Sequence, residues 1–179
     1  MKRKVLGFTI IEVVLVLAIA GLIFLMVFLA LPTLQRNQRD TQRRDALGRV
    51  ASQTQQFMSN NQGRVPTNLA GQGCDAPCQW NSFRLNYLDL ANDPFLDPNG
   101  LHYYLSYRGD AGANVGNEAI SFGSIQVGTD NFMPIRVYSN ARCDGENAVF
   151  APNGSRLVAF RMKLEGAGTA CRDNYSGTS

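Results

Sequence analysis

Gly7-Phe8-Thr9-Ile10-Ile11-Glu12 runs directly into Val13–Leu31, VVLVLAIAGLIFLMVFLAL, and this stretch decides the fold. From Val13 to Leu31 no side chain carries a charge or an amide. At 1.5 Å per helical residue the run reaches about 28 Å, close to the ~30 Å hydrocarbon core of a bilayer. A lone carboxylate, Glu12, stands at its start, and a short basic leader, Met1–Gly7, precedes it. Read as a secretory signal, the run exceeds the usual 7–15 residue apolar core, and Phe28-Leu29-Ala30 makes a poor cleavage site. A retained single-pass membrane helix is expected instead.

Moving outward, Pro32 removes a backbone donor and clashes with the preceding turn, which predicts a kink or a local loosening there. Leu47, Val50, Ala51, Thr54, Phe57 and Met58 then recur with a 3.6-residue period, while Arg43, Arg49, Gln53 and Gln56 are expected on the opposite face, where the arginines are either solvated beside local Asp partners or used between subunits. Asn60-Asn61-Gln62-Gly63, followed by Pro66, is a stop signal. One long helix over residues 8–60 follows, roughly 80 Å if straight. Its first half is apolar all round, with 13–31 spanning the membrane; its second half needs a domain to lie against.

Residues 64–100 read as a loop-rich connection with a short helical piece near Trp80–Leu90. Beyond Gly100 the period becomes two. Strands are expected over 101–108, 120–127, 135–139, 148–150 and 156–165, with Val158, Phe160, Met162 and Leu164 inward and Arg161, Lys163 and Glu165 outward. Pro152-Asn153-Gly154 offers a hairpin turn before the last run. The fold class is α+β: a long N-terminal helix, half transmembrane and half amphipathic, packed on an antiparallel β-sheet. The organisation is a leader (1–7), the helix (8–60) and a globular head (61–179).

Charge is unevenly placed. The chain is +3 as a whole, yet residues 62–179 carry nine Lys/Arg against eleven Asp/Glu. A slightly acidic head lacks the phosphate-neutralising surface of a general nucleic-acid binder, so charge does not support DNA as a partner. Cys74, Cys78, Cys143 and Cys171 all follow the apolar run, and an even count there points to two disulfides on an oxidising side. Three connectivities are open, as is a set of reduced thiols or a zinc site; Cys143–Cys171 with Cys74–Cys78 is preferred because it pairs chain neighbours. The N-terminus is then inside and the head outside.

No catalytic constellation is found, so no enzyme activity and no cofactor is expected. The single histidine, His102, lies in an aromatic strand run and reads as a surface or structural imidazole. Asp93, Asp97 and Asn99 offer oxygen ligands for calcium without a full calcium-loop pattern, and plain turns are preferred to a metal there. Asn153-Gly-Ser and Asn174-Tyr-Ser match the glycosylation sequon. Glu12 stands apart: an acid beside an apolar span is costly and functional by default, and no Lys or Arg lies in the span to neutralise it.

Gly7-Phe8-Thr9-Ile10-Ile11-Glu12, a short basic leader before it and an apolar helix after it, resembles the type IV pilins and pseudopilins. The resemblance covers roughly residues 1–66; in many members the helix proline comes earlier than Pro32. It implies cleavage after Gly7 by a prepilin peptidase, N-methylation of Phe8, and pairing of Glu12 with the Phe8 amine in subunit registration. It implies storage in the bacterial cytoplasmic membrane with the N-terminus inside, followed by extraction by an assembly platform and motor into an extracellular helical filament of identical subunits. Adhesion, twitching motility or DNA uptake would be the role of a major subunit. The alternative is a minor pilin or pseudopilin of a type II secretion or competence machine. Arg136–Cys143, with Cys171, is similar to the disulfide-closed C-terminal region of many pilins.

Overall fold

The computed structural model describes residues 7–66, 82–90, 92–110, 118–151, 156–166 and 168–175. The chain divides into two compact units, Met1–Gln38 and Arg39–Ser179. One helix, α1 (Ile10–Asn60), contributes to both.

In the first unit α1 is apolar on every side. It is long and apolar enough to cross a membrane, and none of its span is buried within the chain. Phe24, Phe28 and Leu29 are each about two-thirds or more exposed, so these side chains spend nothing on the fold of the single chain. The helix assignment continues unbroken through Pro32. A proline costs one intrahelical hydrogen bond, and the long helical runs on both sides hold the register across it.

The second unit is an α+β domain. Leu47, Val50 and Ala51 of α1 are buried against Tyr103, Leu105, Ile135, Val137, Phe160 and Met162 of the sheet, so each layer covers the other's apolar face. Phe57, expected on this face, is half-buried and meets Phe83 edge-on at 5.7 Å between ring centres. The helix ends where the stop signal lies: the Gly63 amide donates to Met58 O at 2.7 Å. Gly63 has φ +76°, which favours glycine, and a β-carbon there would also push the Arg156 guanidinium aside. Within the expected helical piece, Arg84–Leu88 forms one π-helical turn.

The strands are β1 (His102–Asp110), β2 (Ile125–Val127), β3 (Asp130–Ser139), β4 (Ala141–Asp144), β5 (Asn147–Phe150), β6 (Val158–Lys163) and β7 (Thr169–Asp173). The main sheet runs β1-β3-β6-β7 with β2 also on β3, and β4-β5 is a separate hairpin. The sheet is mixed where a wholly antiparallel one was expected, because β1 and β3 pair in parallel. Parallel neighbours need a connection of a dozen or more residues, and the chain between Asp110 and Asp130 is long enough for one. Strand periodicity carries no information about the direction of a partner, so the sequence pattern is blind to this. The expected strand over 120–127 shortens to β2, which turns back into β3 through Gly128, φ +64°. β4 and β7 were not expected. Both are short, and both lie beside the small and polar residues that mask a period of two.

Two expectations about arginines are corrected by the fold. Arg43 is fully buried, one turn before Leu47 on the inward face of α1, not on the solvated one. Arg161 points away from α1 as expected, yet it is 3 % exposed. The β4-β5 hairpin packs over that side of β6 and β7, and Arg161 Nε donates to Glu146 O at 2.9 Å. A strand that reads as half-solvated is thus buried on both faces.

Candidate functional site

At the start of α1, Gly7 and Phe8 lie before the first helical residue and are exposed, Phe8 by 89 %. Thr9 and Glu12 form a capping box. The Thr9 amide donates to Glu12 Oε2 at 2.8 Å, and the Thr9 hydroxyl donates to the same oxygen at 2.9 Å. In return the Glu12 amide reaches Thr9 Oγ1 at 3.4 Å. Helix termini leave backbone N–H groups without intrahelical partners, and this reciprocal pair satisfies two of them. The signal was present as T-x-x-E before an apolar run, and it gives Glu12 a local task beside any intersubunit one. Glu12 Oε1 takes no part in the box.

Cys143 and Cys171 are disulfide-bonded with Cα atoms 5.7 Å apart, tying β4 to β7. They pack against a small cluster of Tyr138, Ala141, Ala148 and Ala159. Cys74 and Cys78, like Trp80 and the 152–154 turn, lie outside the described residues.

The densest electrostatic feature is centred on Arg43. Its Nε and Nη2 meet the two Asp97 oxygens at 2.8 and 3.1 Å, and both side chains are fully buried. Arg43 Nη1 reaches Asp40 at 3.0 Å and Glu165 at 3.3 Å. The Phe122 ring lies 5.0 Å from the guanidinium carbon, and the Tyr103 hydroxyl donates to Asp97 at 3.1 Å. Burial works against the Arg43 charge, but Asp97, Asp40 and Glu165 outweigh it and hold its pKa above the ordinary guanidinium value. Burial together with the Asp97 charge pushes the Tyr103 phenol up, so it remains a donor.

Asp40 accepts the Glu165 and Gly166 amides at 2.8 and 2.9 Å, and Arg39 forks onto Glu165 at 2.5 and 2.7 Å. The Arg39 hydrogen bonds hold the Glu165 carboxyl down at about 2. Asp40, despite burial, is also lowered by the two amides and Arg43. α1 from Arg39 onward is thereby tied to the 93–101 loop and to the β6–β7 turn.

Two of the three residues considered for calcium are engaged in ion pairs: Asp97 sits on Arg43 and also accepts the Asn99 main-chain amide, and Asp93 pairs with Arg49 at 2.8 Å. His102 is half-exposed at the sheet end, with Nδ1 3.0 Å from Asp89 Oδ2. Asn174, the sequon asparagine, is 5 % exposed; it accepts from the Val158 amide at 2.8 Å and donates to Arg156 O at 2.9 Å. Its amide nitrogen is a structural donor inside the fold, to Arg156 O and to Met58 Sδ, and attachment of a glycan there would take away one of its two protons and need space the buried site lacks.

Protein-family models, curated proteins and solved structures yield no match to this chain. The apolar N-terminal helix with its head domain is compatible with a pilin-like signal helix, and one helix near the N-terminus has the length and composition of a single membrane span.

Proposed function

We propose that the chain is a filament subunit of the type IV pilin kind, cleaved after Gly7, stored in the cytoplasmic membrane with its N-terminus inside, and assembled outside the cell through its helix. The observation that carries this reading is the exposed apolar surface of α1: about 20 residues of hydrocarbon that are left unburied among the described residues. In lipid such a helix is accommodated singly. Extracted from lipid, it needs other apolar helices around it, and identical subunits supply them.

Glu12 supplies the register. A carboxylate at the edge of such a bundle is costly without a positive partner, and cleavage after Gly7 creates one on Phe8. The charge pair forms fully only between processed subunits, so bundles in the wrong register leave it unmade. By resemblance the glutamate favours the abundant subunit over a minor pilin. The small head, closed by Cys143–Cys171, would face the outside as the filament wall.

The test uses two substitutions, because Glu12 also caps the helix. Glu12→Gln keeps an acceptor for the Thr9 amide and removes the charge; Glu12→Val removes both. The expected outcome is loss of surface filaments in both variants, with both proteins still present in the membrane. Normal filaments from Glu12→Gln would refute the charge-register role.

A further inference from the structure

Ser106 and Arg108 of β1, and Pro134 and Arg136 of β3, project from the sheet face opposite α1, since the intervening Tyr103, Leu105, Ile135 and Val137 line the core. With the 120–124 loop they enclose a cavity of about 170 Å³. Its electrostatics are unbalanced. Arg136 pairs directly with Glu118, the one acid paired with it among the described residues, and Glu118 also accepts from the Tyr138 hydroxyl at 2.6 Å. Burial disfavours the Glu118 charge, but Tyr138 and Arg136 overcome it and lower its pKa, so it is spent on them as a carboxylate.

Arg108 shares that acid only loosely. Its Nε stays 3.8 Å from Glu118, an ion pair beyond hydrogen-bond reach, so two guanidiniums face one carboxylate, and the Arg108 guanidinium donates to no other group among the described residues. The hydroxyls of Ser106, Ser121 and Ser124 also line the cavity with no hydrogen-bond partner among the described residues. A concave site with one surplus guanidinium, three unspent hydroxyls and an apolar flank of Ile120 and Pro134 has the complement of a small anion with some carbon attached. The volume lies below the ~300 Å³ of drug-sized pockets, which limits the guest to one head group.

We propose that this cavity binds one oxyanion group, a carboxylate or a phosphate, with the Arg108 guanidinium as its principal charge partner and the serine hydroxyls as donors. The proposal is independent of the filament reading. The test uses the full chain in detergent, isotope-labelled, titrated separately with inorganic phosphate and with glucuronate at constant ionic strength, reading amide shifts of Ser106, Arg108 and Ser121. Saturable shifts with low-millimolar affinity are expected for at least one probe, and the pair tells phosphate from carboxylate. Arg108→Gln, an exposed change, should weaken binding about tenfold. Arg142→Gln, also exposed but on β4, should leave it unchanged. Non-saturating shifts with both probes, or equal weakening by the two substitutions, would overturn the site.

Discussion

Replacing Arg43 by Met tests the head's electrostatic centre. The change keeps an apolar stem of similar reach and deletes the guanidinium, leaving Asp97 fully buried with the Tyr103 hydroxyl and the Asn99 amide as its remaining donors. Stripping one partner from a buried pair costs about 3–5 kcal/mol, because the other charge stays desolvated. For a unit of this size each kcal/mol moves the melting temperature by about 3–4 °C, so a fall of roughly 10–20 °C is expected. Asp97→Asn should cost less, since its amide oxygen still accepts from Arg43 while Asp40 and Glu165 keep the guanidinium compensated. The double change Arg43→Met with Asp97→Leu should recover most of the loss, because no unpaired charge then remains inside. The assay is thermal unfolding of the full chain in detergent, followed by near-ultraviolet circular dichroism. A loss below about 1 kcal/mol for Arg43→Met, or strictly additive single changes, would refute the reasoning.

Other expectations follow from the same contacts. Glu165, held at about 2, and Asp40, also lowered, bind protons more weakly folded than unfolded. Their stabilisation is therefore complete above the ordinary carboxylate range near pH 4.5 and is lost as pH falls toward 2; Arg39→Gln should move the acid-unfolding midpoint upward, measured by circular dichroism against pH. Removing the 28-residue link with Cys143→Ser and Cys171→Ser should cost about 3.5 kcal/mol on chain-entropy grounds, read from denaturant midpoints under non-reducing conditions. Asn174→Ala leaves the Val158 amide and the Arg156 carbonyl without their partner and should destabilise by about 2 kcal/mol, and intact mass of the wild-type chain should reveal no glycan at that position.

Much of the architecture was legible because periodicity is a local signal. The helix, its stop at Asn60–Gly63, the inward stripe from Leu47 to Thr54 and the position of β6 all follow from spacing and turn chemistry. What spacing does not encode is the partner of each element. The parallel pairing of β1 with β3 depends on a crossover, and the burial of Arg161 depends on a hairpin folding back over it. Arg43 is the sharpest case. It occupies an inward helical position, and an arginine there reads as solvated unless the carboxylates that meet it are known; two of them, Asp97 and Glu165, lie 54 and 122 residues away. The T-x-x-E box at Thr9 and Glu12 is different, since it is a local pattern written in the sequence and coincides with the acid that borders the apolar span.

The central claim is that Met1–Gly7 is removed and that the rest assembles through α1. Intact mass of the chain recovered from membrane and filament fractions, with N-terminal sequencing, tests it most directly. The account predicts a mature chain beginning at Phe8, carrying one methyl group on its α-amine. A chain that retains residues 1–7 in both fractions would contradict it.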